Sequence, residues 1–298
     1  MNHASRRQVY WVLAVGSIAI SMGAIFARIA QNESVPSLLI SASRLCLATL
    51  AVSPLVMMNH RSEIRTLTRN QQRLVLLCGG LLALHFITWI QSLEHTSVLI
   101  SVTVVSTTPI WVAVMEWVFF KTRLTRWILV GLVLTMVGGV LVTLESGGNS
   151  TTIPHPNLLL GIFLALIGAV SASGFLVIGR SLRQDLTLLP YIWLIYGSGG
   201  IILIVLLAVL RVPMLGYSPT AWLALLGAAA IPQLVGHTAM NYAVRHVSAT
   251  IVSLFTKIEP IGSAILAFLL FAETPNQWQI IGSVVILAGI YLATFNEQ

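Results

Sequence analysis

Ten apolar stretches, each close to the length at which a helix crosses a bilayer, follow one another along this 298-residue chain with only short polar breaks between them. A helix needs about 20 apolar residues to span the hydrocarbon core. The stretches fall at roughly 9–30, 36–57, 73–92, 98–120, 126–145, 157–179, 188–211, 220–242, 247–271 and 277–296. Turn and helix-end chemistry separates them: Asn32-Glu33-Ser34, Asn59-His60-Arg61, Lys121-Thr122-Arg123, Gly147-Gly148-Asn149, Pro213 and Thr274-Pro275-Asn276. The expected fold is an all-α membrane protein of ten transmembrane helices.

Composition agrees. Hydrophobic residues make up 57% and charged residues 8% of the chain, against roughly 45–50% and about 25% in soluble domains. A mean hydropathy of +0.91 over the whole length leaves no room for a separate soluble domain. The net charge of +7 raises the question of nucleic acid, but the basic residues are scattered between apolar runs and form no aromatic-interleaved face. Topology accounts for them better. With the amino terminus in the cytoplasm, the loops on that side hold Arg6, Arg7, Arg61, Arg65, Arg69, Arg73, Lys121, Arg123, Arg126, Arg180, Arg183 and Arg245, while the opposite side keeps Arg28 and Arg211. The positive-inside rule then places both termini in the cytoplasm of an inner-membrane protein. Arg6-Arg7 ahead of an apolar run resembles a signal peptide, but no A-x-A-like site interrupts the run, which reads as the first span. Cys46 and Cys78 lie inside apolar runs with no metal spacing, and no cofactor or metal is expected.

Sliding the chain against itself by about 151 residues aligns His95 with His246, Ser97 with Ser248, Pro109-Ile110 with Pro260-Ile261, Trp127 with Trp278, Gly131 with Gly282 and Gly138 with Gly289. Residues 1–147 and 157–298 are thus two repeats of five spans each. An odd number of spans makes the second enter the membrane inverted relative to the first, the architecture of many secondary transporters.

The segment from Pro260 through Glu273, Gly282 and Gly289 resembles the repeat of the drug/metabolite transporter superfamily, EamA type, and the resemblance covers almost the whole chain. In the first half Thr122 occupies the place of Glu273. The resemblance implies a ten-helix fold whose third, fourth, eighth and ninth spans surround a central cavity, with the fifth and tenth as scaffold. It also implies export of amino acids, related metabolites or small drugs.

Charges at mid-bilayer are expensive and normally face a cavity or a partner. Lys257 and Glu259 lie near the middle of the ninth span and Arg44 near the middle of the second. Two positions apart, about 200° around a helix, Lys257 and Glu259 do not share a face. Each has a structural alternative, an interhelical salt bridge. Glu116, nearer the cytoplasmic end of the fourth span, is expected to snorkel toward Lys121 and Arg123. The third span carries His85, Trp89 and Ser92 on one stripe, and the eighth carries Gln233, His237 and Asn241, followed by Tyr242. Such stripes line a cavity or glue helices together; the resemblance favours the cavity. Trp111 adds an aromatic wall, Trp193 with Tyr196 a gate, and Ser253 and Thr256 hydroxyls that either bind substrate or bond back to their own helix.

The candidate substrate-binding residues are therefore His85, Trp89, Trp111, Ser253, Thr256, Lys257, His237, Asn241 and Tyr242, with Glu259 and Arg44 as a coupling or charge network. Lys257 or Arg44 would bind a substrate carboxylate. The functional expectation is a secondary transporter of small metabolites, foremost amino acids including aromatic ones, working by alternating access as an exporter, in the form of a monomer or weak homodimer. A multidrug or quaternary-cation exporter is the alternative, requiring Glu259 to face the cavity unpaired. Enzymes fare poorly: Tyr196-Gly197-Ser198-Gly199 lacks the first glycine of a nucleophile elbow, and no HExxH, P-loop or dinucleotide fingerprint appears. A channel filter of like-charged rings is also missing.

Overall fold

The computed structural model describes residues 5–96, 101, 104–122, 124–143, 157–259, 261–262 and 277–295. Among these, every regular element is helical: α1 (Arg6–Ser21), α2 (Gly23–Asn32), α3 (Ser37–Asn59), α4 (Arg61–Arg65), α5 (Arg69–His95), α6 (Thr108–Phe120), α7 (Arg126–Thr143), α8 (Leu158–Asp185), α9 (Leu188–Val209), α10 (Pro219–Ala228), α11 (Thr238–Ala243), α12 (Ala249–Phe255) and α13 (Gln277–Phe295). A π-helical segment, Ala229–His237, joins α10 to α11, and a 3₁₀ turn, Thr256–Ile258, follows α12. Hydroxyl caps start several of them. Ser5 and Thr68 form reciprocal boxes with Gln8 and Gln71, and Ser218 and Ser248 each accept from the backbone N–H three residues on.

Six helical runs are long and apolar enough to cross a membrane: Arg6–Asn32, Ser37–Asn59, Arg69–His95, Leu158–Asp185, Leu188–Val209 and Pro219–Ala243. The other four expected spans carry shorter apolar helices, Thr108–Phe120, Arg126–Leu141, Ala249–Ile258 and Ile280–Thr294. Pro109 stands in the first turn of α6, where its missing N–H costs nothing; Ser101, Val104 and Val105 ahead of it are also helical, and a turn at Ser106–Thr107 separates them from α6. In the ninth span the backbone tightens to 3₁₀ at Thr256–Ile258 and is α-helical again at Glu259, Ile261 and Gly262. Pro260 itself lies outside the described residues, as do Glu273, Asn149 and Ser97.

Loop-to-loop hydrogen bonds define two ends of the bundle. At one end Gln71 donates to Asp185 at 3.0 Å, Glu63 accepts from the Thr187 N–H at 2.6 Å, and Gln184 donates to the Arg245 carbonyl at 3.4 Å. At the other, Ser37 donates to Glu94 at 2.5 Å, Gln31 to the Ile90 carbonyl at 3.0 Å, and Ser218 to Glu33 at 2.6 Å. The first end holds most of the arginine-bearing loops. The α1–α2 run and α8, the opening helices of the two halves, consequently run in opposite directions.

The α7–α13 pair shows the same relation at close range. A methyl placed on Gly138 would sit 2.7 Å from the Gly282 carbonyl oxygen, and one on Gly289 would sit 2.9 Å from that of Gly131. One residue number rises as the other falls, so the helices cross antiparallel, and the two glycine contacts exchange under the repeat register. Gly139, one position away, has open space around it. Gly138→Leu is expected to cost about 1–3 kcal/mol through overpacking, and Gly139→Leu a few tenths at most. Thermal melting of the two purified variants checks this; equal melting temperatures would contradict the crossing.

Candidate functional site

The buried polar groups converge midway along the helices. Arg44 on α3, 1% exposed, lays its guanidinium over the Phe86 ring of α5 at 4.2 Å and reaches the Trp89 ring at 5.9 Å. Gly23 packs beside both groups: a methyl there would rest in ordinary contact, 3.5 Å from Arg44 Nη1 and from the Trp89 ring edge. Arg44 Nη2 donates weakly to Gln233 Oε1 at 3.4 Å, whereas Nε and Nη1 have no hydrogen-bond partner among the described residues. Stacking thus holds the cation's face and leaves its edge free.

His85 and Trp89, one helical turn apart on α5, stack with ring centroids 6.0 Å apart and planes within 1° of parallel. The Gly168 carbonyl lies 2.9 Å from His85 Nδ1. A carbonyl only accepts, so Nδ1 carries the proton and Nε2 of the neutral ring is left as an acceptor. From the opposite side the π-helical segment delivers Gln233 and His237, the latter packing edge-on against Phe86 at 5.1 Å. Pro232 lies within that segment. It has no N–H for the ladder, and π segments recur where helices serve function.

Arg44, His85, Trp89, His237, Thr256 and Glu259 line a common cavity, closed by Ile20, Phe175, Leu176 and Met240. Glu259 Oε1, Trp89 Nε1 and Gln233 Nε2 are buried without hydrogen-bond partners among the described residues. A buried polar atom left unpaired costs about 1–3 kcal/mol, which makes this cluster the candidate place for a guest that pairs with it. The cavity measures about 80 Å³, short of the roughly 300–1,000 Å³ of ordinary ligand pockets. That volume has room for a few waters.

Other expected site residues stand elsewhere. Lys257 is 1% exposed with no hydrogen-bond partner for Nζ among the described residues, but it lies off the cavity wall. Ser253, off the wall, donates to the Thr250 carbonyl at 2.7 Å, and Thr256, although it lines the cavity, donates to the Ser253 carbonyl at 2.7 Å, the back-bonded alternative in both cases. Trp111 donates to Thr107 Oγ1 at 3.1 Å, and Tyr242 packs on His246 at 5.0 Å, neither on the wall. Asn241 donates to the Tyr196 hydroxyl at 3.1 Å, joining α9 to α11 behind the cavity. Trp193 donates to Ser53 at 2.8 Å, whereas Tyr196 is hydrogen-bonded to Thr238 and Asn241.

Two expectations need correction. Glu116 does not snorkel toward Lys121: fully buried, it accepts from the backbone N–H groups of Ala249 and Thr250, both at 3.1 Å, and from the Thr250 hydroxyl at 2.6 Å, and it pairs with Arg180. The positive end of α12 draws it inward more strongly than the interface does. Arg183, placed in a loop by its sequence, is 2% exposed and donates to the Asn241 carbonyl at 2.9 Å and to that of Leu186. Phe86, the platform under Arg44, had no sequence signal, being one apolar residue in an apolar run.

Helices of membrane-spanning length around a mid-span polar cavity define a multi-pass membrane protein. The EamA-like transporter family matches the chain twice, over residues 8–144 and 159–295, and the chain belongs to that family. An uncharacterized transporter of Synechocystis is 26% identical over 74% of this chain and 66% of its own length. A second, from Archaeoglobus fulgidus, is 23% identical over 95% of this chain and 96% of its own. The transporter YdfC of Bacillus subtilis is 24% identical, and 59% of its length is matched. A protein of known crystal structure superposes over 98% of both chains with a TM-score of 0.80 at 16% identity, a likeness of fold.

Proposed function

We propose that this transporter is a secondary carrier of small amphoteric metabolites, amino acids including aromatic ones foremost, exported across the inner membrane by alternating access between two inverted five-helix repeats. The observation that carries this reading is the pairing of an unpartnered guanidinium edge, Arg44, with an unpartnered carboxylate oxygen, Glu259, on one buried wall between aromatic rings. A substrate carboxylate fits Arg44 as a charge-assisted pair. Its ammonium fits Glu259, and His85, Trp89 and His237 supply flat apolar contact. The opposite directions of α1–α2 and α8 and the reciprocal glycine contacts of α7 and α13 support the inverted arrangement. Arginine asymmetry supports cytoplasmic termini. Cysteine labelling checks the orientation: residues 2, 66 and 298 should react from the cytoplasmic side and residue 149 from outside. Labelling of Asn149→Cys only from the cytoplasm would refute it.

The test of substrate class compares phenylalanine, its amide and a quaternary ammonium ion as competitors in proteoliposomes. The amphoteric reading expects phenylalanine to compete best. The unpartnered Glu259 oxygen favours one other reading, a quaternary-cation exporter, and preferential competition by the quaternary ion would establish that instead.

Glu259, His85 and His237 are the cavity groups able to change charge, so any proton coupling runs through one of them. In Glu259→Gln, accumulation driven by a pH gradient should vanish while downhill exchange survives. Unchanged accumulation in all three neutral variants, Glu259→Gln, His85→Gln and His237→Gln, would reject this assignment.

A further inference from the structure

A groove of about 850 Å³ opens sideways between α5, α6 and α8. Its walls are apolar: Leu77, Leu81 and Leu84 from α5, Met115 and Phe119 from α6, and Ile178 from α8. From Leu74 to Leu84 it follows α5 for ten residues, about 15 Å, and from Leu166 to Ser181 it follows α8 for fifteen, about 22 Å. Both fall short of a hydrocarbon core about 30 Å thick, so the groove does not cross the full core.

Its end is basic. Arg73 is exposed one turn before Leu77, on the stripe that continues through Leu81 and Leu84. Lys121 is exposed directly after Phe120, which lines the same end of the groove. Among the described residues neither is in an ion pair. Of the acids at this end, Asp185 is held by Gln71 and Glu63 by the Thr187 N–H and hydroxyl. Arg180, beside lining residue Ser181, is committed to Glu116.

We propose that this groove binds an anionic phospholipid of the leaflet at the arginine-rich end, one acyl chain lying along α5 and the phosphate held by Arg73 and Lys121. Charge complementarity at the mouth selects an anionic over a neutral lipid, and a length short of the full core selects an acyl chain over a partner helix, which would cross both leaflets. The inference stands apart from the transport reading, because the groove faces lipid and shares no wall residue with the polar cavity.

Native mass spectrometry of the full chain with equal amounts of dioleoylphosphatidylglycerol and dioleoylphosphatidylcholine tests it. Two basic groups at the headgroup level predict retention of phosphatidylglycerol on the order of tenfold over phosphatidylcholine. Arg73→Gln combined with Lys121→Gln should bring that ratio close to one with melting in lipid-free detergent unchanged. Gly174→Leu, which fills the groove against Leu81, should reduce retention of both lipids. Arg61→Gln combined with Arg65→Gln, at the same end but away from the groove, should leave the ratio intact. Equal retention of both lipids by the parent protein would overturn the proposal. So would a preference that survives the Arg73/Lys121 substitution, or one lost equally with Arg61/Arg65. Glycerol 3-phosphate, a headgroup without a chain, should not be retained; retention of it would assign the basic mouth to free phosphate and overturn the lipid assignment.

Discussion

Glu116→Ala is expected to destabilise the protein by about 3–5 kcal/mol, the usual consequence of removing one partner from a buried charge pair. The substitution strands Arg180 and unsatisfies two backbone N–H groups and a hydroxyl at the start of α12. One carboxylate therefore ties α6, α8 and α12 together at the arginine-rich end. Glu116→Gln retains a carbonyl acceptor for part of this set and should fall between the parent and Glu116→Ala. Unfolding of the three proteins in the same detergent, followed by near-ultraviolet circular dichroism, checks the order. An alanine variant as stable as the parent would mean that the side chain faces the interface, as a reading of sequence depth suggests.

Arg44→Met should have the opposite profile, large in function and small in stability. If its edge receives a substrate carboxylate, removing a charged hydrogen bond worth about 1.5–3 kcal/mol weakens substrate binding roughly 10- to 150-fold. Preference for the acid over the amide should disappear with it. Melting should change little, because among the described residues Arg44 makes one long hydrogen bond, and its burial is itself costly. Lys257→Met is the informative comparison. Lying off the wall, Lys257 should leave the preference intact; loss of preference in Lys257→Met with retention in Arg44→Met would move the carboxylate seat to the ninth span.

Much of the fold was legible because few forces compete within a membrane. Apolar length and missing charge leave helices as the outcome, and the glycines that align in the repeat, Gly131 with Gly282 and Gly138 with Gly289, are those at the α7–α13 crossing. The stripes were legible for the same reason. His85 and Trp89 stack one turn apart, and Gln233 and His237 come from the facing segment. What stayed hidden depended on groups that side-chain patterns do not encode. Glu116 is bound by backbone N–H groups more than 130 residues away in the chain. Glu259 and Lys257 differ in sequence depth by two positions only, and the 3₁₀ turn at Thr256–Ile258 alters the angle per residue that a uniform helix would impose. Which of the two faces the cavity therefore could not be read from spacing. Arg183 looked like a loop charge because its acceptors are carbonyls, Asn241 and Leu186, invisible to charge counting.

Counterflow in proteoliposomes tests the central claim most directly. Vesicles containing the purified protein are loaded with unlabelled phenylalanine and diluted into a trace of labelled phenylalanine, so that accumulation reports carrier-mediated exchange. A carrier with the Arg44–Glu259 cavity as its site should show transient, saturable accumulation above protein-free vesicles, abolished in Arg44→Met. Flux that rises linearly with concentration and shows no counterflow, or counterflow undiminished in Arg44→Met, would contradict it.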